Sequence, residues 1–122
     1  MVLTKGFKEL VQARAASDPA FAEALLLEGI EAMLAGDVET GKTVLRDYIN
    51  ATVGFEKLAE ATETPPKSLM RMFGPRGNPQ ARNLFGVIGY LQGEARLKLR
   101  VAVERRPQGA RRARHNSAKT AA

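Results

Sequence analysis

Pro65 and Pro66 stand side by side between two short runs whose apolar residues recur at helical spacing, and that pair constrains the fold of this 122-residue chain more than any other feature. Proline lacks an amide hydrogen and its ring collides with the preceding turn, so no single helix runs through both runs. The ring is well suited to the first position of a new helix, and Pro66 is expected to open one. Phe55, Leu58 and Ala59 mark one helical face before the pair. Leu69, Met72 and Phe73 mark another after it, leaving Lys67, Ser68 and Arg71 on the outer side. A third helix is expected over 82–92, with Leu84, Phe85, Ile88 and Leu91 facing inward. Helix, tight turn, basic helix and supporting helix together predict a helix-turn-helix, a motif that places its second helix in the major groove of DNA.

The rest of the chain also reads as helical. A first helix is expected over 4–16, with Phe7, Leu10, Val11 and Arg14 at helical spacing. Asp18 followed by Pro19 is an N-cap with proline at the first helical position. The second helix then runs to about residue 35, with Phe21, Leu25, Gly29 and Met33 in one row, Leu26, Ile30 and Leu34 beside it, and Gly36 as its stop. Asp37 caps a third helix whose stripe is Val38, Gly41, Val44, Leu45, Tyr48 and Ile49, and Gly54 separates it from Phe55.

After Gly93 the period changes. Leu97, Leu99, Val101 and Val103 alternate with Lys98, Arg100, Ala102 and Glu104, the pattern of a half-buried strand, although the residue types also tolerate helix. A lone strand needs a partner for its backbone, and the chain offers no second strand candidate, so the same segment of a second copy is expected to supply it. The expected fold is mainly α. It has an N-terminal helical extension (1–36), a repressor-type helix-turn-helix unit (37–93), one C-terminal β-strand for dimerisation (94–104) and a basic tail without apolar periodicity (105–122), expected to be disordered.

Charge is distributed unevenly. Residues 1–63 carry 6 basic and 11 acidic side chains, residues 64–104 carry 7 and 2, and residues 105–122 carry 6 and none. No acid lies between Glu63 and Glu94, a stretch that holds Lys67, Arg71, Arg76 and Arg82. That sign suits a phosphate backbone, and it falls on the segment that the helical pattern nominates. The chain has no cysteine, its first residues lack an apolar signal core, and no apolar run reaches membrane-spanning length. A soluble cytoplasmic protein with no membrane contact is expected.

Catalysis finds little support in the sequence. Residues 36–43, GDVETGKT, match the letters of a phosphate-binding P-loop. That loop needs a buried strand before it, and the segment here is helical, with Asp37 and Glu39 where phosphates would sit. The one histidine, His115, lies in the tail, and no loop gathers metal ligands. No enzyme activity, cofactor or metal is expected.

The run over 47–91, with DYINATVGFEKLA, PPKSLMRMFGPRGNP and ARNLFGVIGYLQ, resembles the HigA-type addiction-module antidote proteins, small regulators with a Cro/repressor-type helix-turn-helix. The resemblance extends to about Glu104. It implies an antitoxin of a type II toxin–antitoxin module that binds a RelE/HigB-like ribonuclease toxin and represses its own operon. At the turn position that often carries glycine in such motifs this chain has Glu63, and the tail after Glu104 lies outside the pattern.

With Pro66 at the helix start, Lys67, Ser68 and Arg71 are expected to face base edges, Arg71 as a bidentate guanine ligand. The loop over 74–80 follows directly, and Arg76, Asn78, Gln80 and Arg82 are expected to meet phosphates. A local turn bond is the alternative for Asn78. The expected partners are double-stranded operator DNA, the toxin, held mainly on residues 1–50, and a second copy in a homodimer. Two other readings compete: a stand-alone helix-turn-helix regulator without a toxin, and a protein-interaction module that binds no DNA.

Overall fold

The computed structural model describes residues 5–107 and is mainly helical. Six helices follow in order: α1 Lys5–Ser17, α2 Pro19–Leu34, α3 Val38–Ala51, α4 Phe55–Thr62, α5 Pro66–Met72 and α6 Ala81–Ala95. The local signals act where their chemistry requires. The Asp18 carboxylate accepts from the amides of Ala20 and Phe21 at 3.1 and 3.3 Å, and Asp37 accepts from Thr40 at 3.3 Å. Each bond satisfies an amide that the helix cannot pair internally, a contribution of about 1 kcal/mol per cap. Gly36 ends the second helix at φ 88°, a conformation that costs glycine nothing.

The core is shared by all the helices. Leu25 and Leu26 of α2 meet Leu45, Tyr48 and Ile49 of α3, while Phe55, Leu58, Leu69, Phe73, Val87 and Leu91 extend the cluster through α4, α5 and α6. Phe55 at the start of α4 and Phe73 just after α5 bring their rings to 6.3 Å, which ties the two short helices together. At the α1–α2 corner the Arg14 guanidinium lies 4.6 Å over the Phe21 ring and 3.6 Å from the Asp18 carboxylate.

Several side chains expected in the core lie outside it. In α1 the buried residue is Ala15, while Leu10 is 69% exposed and Phe7 is about half exposed. This helix meets α3 through polar contacts to the buried Asp47, where the Gln12 amide donates at 3.2 Å and the Lys8 ammonium lies at 4.0 Å. That contact turns the Phe7–Leu10 side toward solvent. Leu34 and Val38 flank the α2–α3 turn beyond the reach of any covering helix. Phe85 is 65% exposed, and Val87, Ile88 and Leu91 form the inner row of α6 instead.

α6 also runs three residues past its expected end at Gln92. Glu94 and Ala95 favour helix, and Gly93 weakens a helix without breaking it. Arg96 then turns into the left-handed region at φ 60°. Among the described residues no strand forms, and the segment expected as a strand has no ladder with any of them. Its alternation is nonetheless visible, since Leu97 and Leu99 pack against the core while Lys98 and Arg100 face solvent. The tail expected over 105–122, with His115, lies outside the described residues from position 108 on. No helix of the described residues is long and apolar enough to cross a membrane.

Candidate nucleic-acid interface

Three residues, Glu63, Thr64 and Pro65, connect α4 to α5. Glu63 occupies the left-handed region at φ 54° and ψ 42°, the conformation for which glycine is the usual choice. The Thr64 amide reaches back to the Ala59 carbonyl at 3.1 Å and the Thr62 hydroxyl donates to Leu58 at 2.8 Å, so the turn is bonded to the helix it leaves. Pro66 then stands in the first turn of α5, and the amides of Ser68 and Leu69 donate to the Pro65 carbonyl.

The two sides of α5 differ as its spacing requires. Leu69 and Phe73 are buried, Met72 is half-buried, and Lys67, Met70 and Arg71 are exposed. Ser68 and Pro66 are half-buried, so Ser68 lies at the edge of the outer face rather than at its centre.

The loop after α5 is held from behind by a residue that sequence reasoning set aside with the P-loop. Lys42 of α3 is 1% exposed. Its ammonium donates to the carbonyl of Gly74 at 2.9 Å and of Gly77 at 2.7 Å, and approaches Glu39 at 3.3 Å. A buried ammonium is tolerated only where its donors are satisfied, and here two loop carbonyls and a carboxylate do so. Gly77 is needed for a different reason. A Cβ there would overlap the carbonyl oxygens of Arg71 and Met72, so only glycine lets the loop lie this close to the end of α5. The signal for Lys42 was present in the sequence, since it precedes Leu45 and Ile49 by three and seven positions on the apolar stripe of α3.

With its backbone anchored inward, the loop leaves Arg76 and Asn78 exposed, and Gln80 and Arg82 are exposed where α6 begins. Asn78 makes no hydrogen bond among the described residues, and no side chain caps the α6 N-terminus at Gln80. Among the described residues Lys67, Arg71, Arg76 and Arg82 form no ion pair, whereas Lys8, Arg14, Lys42 and Lys57 each do. Pro66 and the seven expected contact residues thus fall on three consecutive pieces of chain: α5, the clamped loop and the first turn of α6.

One electrostatic feature escaped the net-charge reading. Glu56, Glu60 and Glu63 outnumber the single cation, Lys57, in a shallow groove of about 620 Å³ that they line together with Pro65 and Pro66. Negative charge therefore borders the start of α5 on its α4 side. A polyanion meets repulsion there and attraction at Lys67, Arg71, Arg76 and Arg82. Comparison of the chain with protein-family models, curated proteins and solved structures found no match.

Proposed function

We propose that the chain is a sequence-specific DNA-binding protein that works as an antitoxin and represses its own operon, with α4 and α5 as a helix-turn-helix and α5 as the recognition helix. The observation that carries this reading is the set of four exposed, unpaired cations on α5, the loop and α6, backed by a loop whose carbonyls are pinned by Lys42. Unpaired cations on a rigid support suit phosphate and base contacts, because little further ordering is needed on binding. Arg71 and Lys67 read bases, Ser68 assists from the edge, and Arg76, Asn78, Gln80 and Arg82 grip the backbone.

The toxin part of the proposal rests on residues 1–50. Their excess of acidic side chains suits a basic ribonuclease, and Leu27, Leu34 and Val38 are exposed on α2 and α3, the helices that also expose Glu28, Glu31 and Glu39. Exposed aliphatic side chains among charges of one sign fit a protein interface. Full capture of the cognate toxin by the Leu27→Asp/Leu34→Asp variant would remove this placement.

The test is a footprint on the DNA upstream of the reading frame at physiological salt, comparing wild type with Lys67→Ala/Arg71→Ala. A two-fold-symmetric protected site that the variant loses supports the proposal. Loss of the Arg71 contact is expected to cost about 1–3 kcal/mol and to relax base preference, while Arg82→Ala weakens all sequences alike and lowers the salt slope by about 1. The acidic groove beside α5 favours the competing reading of a protein-binding module. Protection indifferent to sequence and to these substitutions would leave that module as the better account.

A further inference from the structure

Residues 97–104, which follow α6, are held to it by two amides of one edge, and their remaining backbone groups make no hydrogen bond among the described residues. The Leu97 amide donates to the Gln92 carbonyl at 2.9 Å and the Leu99 amide to the Gln92 side chain at 2.8 Å. In extended chain the backbone groups of alternate residues point to opposite edges, so those of Lys98, Arg100 and Ala102 face the other way. They make no hydrogen bond among the described residues. The apolar face is half covered too. Leu97 and Leu99 lean on the core, whereas Val101 and Val103 overhang it, 78% and 92% exposed.

We propose that residues 97–104 pair antiparallel with the same residues of a second copy about a two-fold axis at Val101. This deepens the homodimer expected from the sequence and rests on that expectation alone. The even-numbered edge is free along the whole run, whereas Leu97 and Leu99 turn the odd edge toward α6, and a two-fold axis at Val101 sets even against even. Lys98 then faces the partner's Glu104, Arg100 faces the partner's Ala102, and Leu99 faces the partner's Val103. Within residues 97–106, a centre at Leu99 opposes Lys98 and Arg100, and one at Arg100 opposes two guanidinium groups. A centre at Ala102 opposes Lys98 and Arg106, and one at Val103 opposes Arg100 and Arg106. Only Val101 joins opposite charges without setting like charges together within 97–106; its one like pair, Arg106 with the partner's Arg96, falls where Arg96 turns out of extended chain at φ 60°.

Charge complementarity continues past the ladder. Leu97 borders a cleft of about 460 Å³ that carries Glu23, Glu94 and the Lys57 paired with Glu94 at 3.7 Å, which leaves Glu23 for the partner's Arg105 opposite Leu97. The valines left exposed by one chain thereby lie beside Leu99 and Val101 of the other.

The chain has no cysteine, so single cysteines placed in turn at 99 to 103 of the full-length protein report the register under mild oxidation. Val101→Cys is expected to cross-link into a covalent dimer fastest, because the paired Cα atoms lie about 4.5 Å apart there and beyond disulfide reach at neighbouring positions. Glu104→Lys is expected to raise the dimer dissociation constant roughly tenfold in sedimentation equilibrium, and Lys98→Glu/Glu104→Lys to restore it. A wild-type chain that sediments as a monomer, or cross-linking that peaks at 99, 100, 102 or 103, overturns the proposal. No DNA enters the experiment. A correctly cross-linked dimer without an operator footprint therefore counts against the DNA reading alone.

Discussion

The ammonium of Lys42 lies 2.7 Å from the carbonyl oxygen of Gly77, across 35 residues of chain. The bond joins the middle of α3 to the loop that follows α5, and it explains how a segment rich in glycine and proline is held in one conformation. Replacement by methionine keeps the volume and orphans two inward-facing carbonyls. Lys42→Met is expected to lower stability by about 2–4 kcal/mol in urea unfolding and to speed amide exchange over 74–80. A change within about 0.5 kcal/mol would show that the clamp contributes nothing.

The glycines of the second half of the chain divide by what surrounds them. A Cβ at Gly89, in the interior of α6, meets open space, while one at Gly77 overlaps two carbonyl oxygens. Gly89→Ala is expected to stabilise by about 0.5–1 kcal/mol, because alanine has less backbone freedom to lose in a helix. Gly77→Ala is expected to destabilise by at least about 2 kcal/mol. Thermal melts at one protein concentration measure both, and equal effects would contradict the packing described here.

Glu63 adopts left-handed backbone without the freedom of glycine. Glu63→Gly is expected to gain about 0.5 kcal/mol or less, since relief of strain is offset by the entropy that glycine adds to the unfolded chain. Glu63→Val, with a branched side chain in the same conformation, is expected to lose at least about 1 kcal/mol. A valine variant as stable as wild type would mean that the turn does not hold this conformation in solution.

Burial pushes the Tyr48 phenol above its ordinary value of 10.0, opposed in part by Thr52 and reinforced by Glu94. Tyr90 moves the same way, through loss of solvent and its hydrogen bond to the Glu94 carboxylate. A phenol whose folded value is raised favours the fold while it stays neutral. Its contribution is complete below the unfolded value of about 10 and is lost as pH rises through the folded value. Phenolate absorbance is expected to titrate above 10 in the native protein and to fall back to about 10 in concentrated urea. Tyr48→Phe is expected to flatten the alkaline loss of stability, and an unchanged profile would place that loss elsewhere.

Helix boundaries were legible in the sequence wherever a local signal sets them. Asp18 with Pro19, Asp37, Gly36 and the Pro65–Pro66 pair act within one turn of their own position, so no knowledge of the rest of the fold is needed. The end of α6 was misplaced because Gly93 is only a weak signal. Which face of a helix is inward was legible in α4, α5 and, past the exposed Val38, in α3, whose apolar stripes are continuous. It was not legible at Phe7, Leu10 and Phe85, because hydrophobicity does not say whether a neighbour is available to cover it. The cationic residues of the candidate interface could be nominated from spacing and charge, but the acidic groove of Glu56, Glu60 and Glu63 beside them could not.

The sequence by itself therefore determined a mainly helical chain, the helix starts at Pro19 and Pro66, and the acid-free stretch between Glu63 and Glu94. Only the tertiary structure decided that Lys42 is an internal clamp, that Gln92 fastens Leu99, and that the edge carrying Lys98, Arg100 and Ala102 is left open. The division follows from range. Caps, prolines and charge runs act through neighbours along the chain, whereas burial and hydrogen-bond partners depend on which distant surfaces the packing of helices brings together.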